Sequence, residues 1–191
     1  MSLEPTDSFQ IFITSSRIYD YYINQMSYGL SIANTDPNNL TSVSIYPDSN
    51  MLSATTNYAF YLTTTNQMPL NSYIEVVFPS NLYSAFTASK ISCTSIKNIG
   101  TISCYPLSSN KNIVRIYNGF NSSALSGGNV IAFKLNNIKN PSLSSNGTFI
   151  IRTVTIDGYY IDSTFNFIYS FGCSTPCATC SGAQSTCTSC Q

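Results

Sequence analysis

Histidine and tryptophan are absent from this chain, and charged side chains supply only 8% of it, against a usual share of roughly 25%. Without histidine, the commonest general base and the commonest nitrogen ligand for metals are both missing. No G-x-S-x-G elbow, phosphate-binding loop or dinucleotide fingerprint stands in for them. The inventory therefore reads as non-enzymatic, with no cofactor. The charges that exist balance, eight basic against eight acidic, and are scattered singly. That pattern excludes the basic footprint of a nucleic-acid binder. No run of about 18 apolar residues is present to span a membrane as a helix. The opening MSLEPTDSFQ lacks the basic and apolar regions of a signal peptide. If the protein is secreted, the chain is expected to be a processed piece of something longer.

What fills the space is apolar and hydroxyl-rich. Hydrophobic residues make up 43%, including 14 tyrosines and 11 phenylalanines, enough for a real core. A surface of Ser, Thr and Asn with few charges does little to keep copies apart, which suits a coat or filament. The apolar residues alternate with polar ones over short stretches: Tyr58, Phe60 and Leu62 in one, Ile74, Val76 and Phe78 in another. Further β-branched or aromatic runs occupy 112–118, 129–136, 147–155 and 159–170, each bounded by Asn, Gly, Ser or Pro. Helical periodicity is limited to about one turn within 81–89. Many short strands at close spacing predict an all-β, Ig-like antiparallel sandwich with Greek-key-like connections. Within it, Lys134 lies between Phe133 and Leu135 and is turned away from the face those two bury.

Five of the seven cysteines fall in the last nineteen residues, with C-x-x-C pairs at Cys177/Cys180 and Cys187/Cys190. Zinc ribbons separate such pairs by roughly 15–20 residues. Here only six residues, 181–186, intervene, and Cys173 is left over upstream. The segment has almost no apolar residues, so it needs covalent staples, and the spacing favours disulfides over zinc. Cys93 and Cys104 lie on the two arms of ISCTSIKNIGTISC around the turn signal Asn98-Ile99-Gly100. They are expected to bridge a hairpin at opposed positions of antiparallel strands.

The pattern Cys173-x3-Cys177-x2-Cys180-x6-Cys187-x2-Cys190, with Pro176 and Gly182, resembles the furin-like, or growth-factor-receptor, cysteine-rich repeat. Such repeats are common in tandem in large surface proteins of ciliated protists, and the resemblance covers the last twenty residues. It implies Cys173–Cys180 and Cys177–Cys187 pairing, with Cys190 left for a partner beyond Gln191.

An internal repeat is also present. Phe9-x-Ile11, Tyr21-Tyr22-Ile23 and Tyr28 near the start are echoed by Phe149-x-Ile151, Tyr159-Tyr160-Ile161 and Phe165. The offset is about 140 residues, the length of one β-domain. The organisation expected is 1–32 as closing strands of a preceding repeat or a strand-donating segment, then 33–172 as the sandwich. The start of a disulfide-rich, furin-like module follows at 173–191. Residues 34–39 would be the hinge, and Phe9, Ile11, Ile13, Tyr22 and Ile32 would form an apolar face that needs a partner.

Three N-glycosylation sequons begin at Asn39, Asn121 and Asn146, each read as lying in a polar connection. Asn34, Asp36 and Asn38 alternate oxygen-bearing side chains and are calcium candidates, although turn chemistry explains them equally. No other metal site is read. Asp157 and Asp162 flank GYYI and read as solvated turn residues rather than a catalytic pair. Adjacent tyrosines (Tyr21/Tyr22, Tyr159/Tyr160) put one ring on each side of a strand, where the outward ring can meet a neighbouring unit or a glycan. The functional expectation is a structural or adhesive building block of an extracellular coat, stalk or filament. Its partners would be copies of itself or neighbouring repeats, with glycans as a second class. The alternative is a receptor ectodomain recognising a soluble protein or glycan.

Overall fold

The computed structural model describes residues 12–14, 22–25, 37–85, 91–107, 110–143, 145–172, 177–180 and 187–190. The chain divides into two compact units, Met1–Pro37 and Asn38–Gln191. In the first, β1 (Phe12–Thr14) and β2 (Tyr22–Gln25) pair antiparallel. In the second, the strands in chain order are β3 (Asn38–Asn39), β4 (Ser42–Pro47), β5 (Thr55–Thr63), β6 (Tyr73–Val77), β7 (Ser92–Lys97) and β8 (Ser103–Leu107). β9 (Asn110–Tyr117), β10 (Val130–Lys139), β11 (Ser145–Val154) and β12 (Tyr160–Phe171) complete them. A short 3-10 helix, Ser80–Ala85, follows β6. Among the described residues no helix is long and apolar enough to cross a membrane.

Two sheets form the sandwich, one ordered β4-β5-β10-β7 and the other β3-β12-β11-β6-β9-β8. The pairings are antiparallel apart from β3, which lies parallel to β12 over two residues, so the larger sheet is mixed at that edge. The fold is all-β and Ig-like, followed by a small module in which β13 (Cys177–Cys180) pairs antiparallel with β14 (Cys187–Cys190).

Period-two alternation places the core. Tyr58, Phe60 and Leu62 of β5 and Ile131, Phe133 and Leu135 of β10 meet Ile74 and Val76 of β6, Val114 and Ile116 of β9, and Phe149 and Ile151 of β11. All are sealed from solvent or within 1% of it. Phe149 is the hub: its ring lies 5.2–6.4 Å from those of Tyr58, Phe60, Phe78, Tyr169 and Phe171, joining both sheets. In β10 the register slips between Leu135 and Ile138, with Asn137 at φ 63°. This bulge returns Ile138 to the interior, where it is fully buried.

Two tyrosines in this core predict how the fold responds to base. The Tyr58 hydroxyl donates to Asn140 Oδ1 and the Tyr169 hydroxyl to Asn50 Oδ1. Burial raises both phenols, Tyr169 to about 12 from an ordinary 10.0. With the folded pKa above the unfolded one, this stabilisation is complete below pH 10 and is lost as pH rises through 12. Cooperative loss of far-ultraviolet dichroism in that window is expected, with Tyr58 and Tyr169 ionising together with unfolding. Ionisation of every tyrosine near pH 10 in an intact fold would contradict this.

The structure corrects one expectation about the cysteines. Cys93 and Cys104 are bonded, with Cα atoms 5.9 Å apart, but they do not close a hairpin. β7 pairs with β10 and β8 pairs with β9, so the bond ties the edge strand of one sheet to the edge strand of the other. The five residues between these strands, 98–102, cross the end of the sandwich instead of turning back. Ile102 is buried there, Ile99 packs against the core, and Gly100 N donates to Gly119 O at 2.9 Å. Gly119 is required at that crossing, because a Cβ on it would stand 2.3 Å from Ile99 Cγ1. Closing so short a loop contributes about 3 kcal/mol on the chain-entropy model.

Candidate functional site

Three of the sixteen charges meet on the outer face of the six-stranded sheet. Glu75 follows the inward Ile74 on β6 and so points outward. Its register partners are Arg115 on β9 and Arg152 on β11, one on each side. Arg115 Nε lies 3.0 Å from Glu75 Oε2 and Arg152 Nη1 lies 2.9 Å from Oε1, leaving the Glu75 side chain only 4% exposed. The carboxylate thus accepts a charge-assisted hydrogen bond on each oxygen.

Tyrosines extend this row in both directions. Arg115 Cζ lies 5.3 Å from the Tyr73 ring centroid and Arg152 Cζ 4.8 Å from that of Tyr160. Tyr73 packs on Tyr117 at 5.0 Å, and Tyr117 on Tyr105 at 6.4 Å. Burial raises the pKa of the Tyr73 hydroxyl, with nearby Arg115 opposing it. The face therefore runs from exposed Tyr105 on β8 to Tyr160 on β12. Beside it is a half-open hollow of about 350 Å³ lined by Asn71, Tyr73, Arg115, Tyr117, Asn118 and Asn121. Ile156, 64% exposed in the β11–β12 turn, completes the rim. Such a surface can stack on and hydrogen-bond a polar ring; it holds no proton-transfer pair.

The second feature is the N-terminal hairpin. β1 and β2 pair Phe12 with Gln25, Ile13 with Asn24 and Thr14 with Tyr22, slipping between Ile13 and Thr14. β11 and β12 pair Arg152 with Ser163, Thr153 with Asp162 and Val154 with Tyr160, slipping between Thr153 and Val154. Adding 140 to the first strand and 138 to the second converts one register into the other, bulge included. These are also the offsets of Phe9/Phe149 and Tyr22/Tyr160 in the sequence. The bulged residues are Ile23 and Ile161. In the sandwich β11 has β6 on its other side; among the described residues β1 pairs with β2 alone.

The residues singled out by sequence fare differently. Cys177 and Cys187 are bonded, joining β13 to β14, while Cys173 lies outside the described residues. Asn39 is exposed on β3 and Asn121 is exposed in the turn after β9. Asn146 is not in a connection: it sits within β11 opposite Ser170, whose hydroxyl donates to its Oδ1 at 2.8 Å. Of the calcium candidates, Asn34 and Asp36 lie outside the described residues, as do Phe9, Ile11 and Ile32; Asn38 is exposed on β3. No group of three or more potential metal-ligating side chains occurs among the described residues. Lys134 faces outward and bonds Asp48 at 3.2 Å.

Asp157 and Asp162 part company. Asp157 is exposed in the turn, but Asp162 is fully buried, contrary to its reading as a solvated turn residue. Its Oδ2 accepts from Thr65 N at 2.9 Å and Asn66 N at 3.1 Å, and its Oδ1 from Asn66 Nδ2 at 2.9 Å. The carboxylate pins the turn after β5 to β12, which is why burial is tolerated. Neither Glu75 nor Asp162 was singled out correctly from sequence. The available signal was a lone charge inside an otherwise strand-like apolar run.

No family model matches the chain, and no curated protein matches it. Among solved structures it is similar to BslA, described as a bacterial hydrophobin, at 18% identity and a TM-score of 0.42. That match covers 69% of this chain and 95% of the BslA chain.

Proposed function

We propose that the chain is a non-enzymatic structural or adhesive building block of an extracellular coat, stalk or filament, made of sandwiches repeated in tandem. The observation that carries this reading is the hairpin β1–β2, which reproduces the register and bulge of the closing hairpin β11–β12. A hairpin of that geometry is the closing pair of a like sandwich, and its β1 edge is the side that β11 gives to β6. It therefore engages a neighbouring repeat or a second copy by strand addition, a contact that does not close on itself and propagates. The inter-sheet bond Cys93–Cys104 and the tail bond Cys177–Cys187 support an oxidising, extracellular setting. In this reading the tail opens a furin-like repeat, with Cys173 bonded to Cys180 and Cys190 to a partner beyond the chain.

Deleting residues 1–32 tests the proposal. The shortened chain is expected to keep its β-sheet dichroism and cooperative melting but to lose self-association in sedimentation velocity. Loss of the fold would mean that the hairpin belongs to the downstream sandwich. Undiminished association would remove the hairpin from the contact. Either result sinks the proposal.

A further inference from the structure

We propose that the hollow beside Asn121 seats a pyranose ring, the first N-acetylhexosamine of a glycan attached to Asn121 itself. Asn121 begins the sequon Asn121-Ser122-Ser123 and lines the hollow with Tyr117, Tyr73, Asn71, Asn118 and Arg115. This rests on the extracellular placement proposed above, which supplies a glycosylation pathway.

The seat is rigid before any sugar arrives. Asn121 Nδ2 donates to Asn118 Oδ1 at 3.1 Å, Asn118 Nδ2 donates to Ser103 Oγ at 3.2 Å, and Asn71 N donates to Phe120 O at 3.1 Å. Asn71 and Asn118 hold left-handed backbones, φ 61° and 70°, which asparagine tolerates better than most residues. The Asn121 amide carries two hydrogens. Attachment breaks one N–H bond and the bond between the anomeric carbon and the diphosphate of a lipid-linked glycosyl donor. It forms the Nδ2–C1 bond, and the proton and lipid diphosphate depart. The remaining N–H continues to donate to Asn118, so linkage and anchoring are compatible.

The walls suit a sugar rather than a charged ligand. Arg115 is committed to Glu75, and its flanking rings Tyr73 and Tyr117 give apolar surface with polar tips. Asn71 and Asn118 offer amide groups to hydroxyls. Ile156 stands exposed on the rim, where it can cover a sugar's apolar face or its acetamido methyl. A hollow of about 350 Å³ is at the small end of the range for bound small molecules. Asn146, by contrast, lies flat on β11 with its Oδ1 engaged by Ser170.

The test uses the full chain secreted from a glycosylating host, in native form and as Tyr117→Ala. Glycopeptide mapping is expected to find Asn121 occupied. Release of that glycan by a peptide amidase on folded protein should be roughly tenfold slower than in Tyr117→Ala, a factor well within what one packed ring supplies. Equal release rates overturn the seating. So does a bare Asn121 beside an occupied Asn39 or Asn146, although that outcome leaves the extracellular reading intact. If all three are bare while Cys93 and Cys104 alkylate freely, the extracellular reading itself fails. A last arm adds free chitobiose to unglycosylated protein. Submillimolar binding that survives Asn121→Gln would show a receptor for free saccharide and overturn the attached-glycan assignment.

Discussion

Replacing Glu75 with alanine is expected to destabilise the sandwich by about 3 kcal/mol, the low end for breaking a buried ion pair. The magnitude follows from the geometry. Glu75 is the shared acceptor for Arg115 and Arg152, whose side chains are 31% and 22% exposed. Removing it leaves two guanidinium groups facing each other across β6 with no anion between them. Their partial exposure lets water recover some of the loss, which keeps the figure from the upper end of the range. For a domain of this size the melting temperature should fall by on the order of 10 °C. A companion variant separates charge from packing: with Glu75, Arg115 and Arg152 all replaced by leucine, the buried charges disappear together. That triple variant should recover much of the stability, since well-packed apolar replacements of buried ion clusters are often neutral or better. Thermal melts of the two proteins decide the matter. A Glu75→Ala melt within a degree or two of the parent would mean that the triad contributes little.

Asp162→Ala is expected to cost about 3 kcal/mol or more, because three donors lose their acceptor at a fully buried position. Thr65 N and Asn66 N belong to the turn between β5 and β6, the connection that carries the chain from one sheet to the other. Once the carboxylate is gone, those amides have no local replacement. Hydrogen exchange should therefore accelerate at Thr65 and Asn66 before it does in β5 or β10. Asp162→Asn is the sharper variant. It preserves volume but replaces one acceptor oxygen by an NH2, which either faces the Thr65 and Asn66 backbone donors or forces the Asn66 side-chain amide to turn its oxygen inward and give up its own donation. An Asn variant as stable as the parent, with unchanged exchange at those two amides, would show that the carboxylate is not what holds the turn.

The sequence by itself determined the strands whose inward residues are large and regularly spaced. β5, β6, β10, β11 and β12 are legible because side chains alternate across a strand whatever the strand pairs with. Phe60, Ile74 and Phe133 declare their own burial. The register that β1–β2 shares with β11–β12 has a counterpart in the sequence as well, since Phe9/Phe149 and Tyr22/Tyr160 carry the same offsets. Composition also removed histidine-based chemistry, since the chain holds no histidine.

The tertiary structure alone decided which strands are neighbours, and everything at the candidate surfaces depends on that. Around Cys93 and Cys104, a turn signal between two β-like arms is common to a hairpin and to a crossover between sheets. Only the packing of Ile99 and Ile102 over the sandwich end selects the crossover. Glu75 meets Arg115 forty positions later and Arg152 seventy-seven positions later; a lone charge on a strand does not name its partner in advance. Asp162 reads as a turn residue by its neighbours Gly158 and Tyr159, yet β12 begins just before it and carries it under the β5–β6 connection. Asn121 is one sequon of three until Tyr73, Tyr117 and Ile156 arrive from other strands and a distant turn to make a hollow beside it. Periodicity is a property of each strand and is written locally, whereas register and sheet order arise from non-local pairing, where the loops set who meets whom.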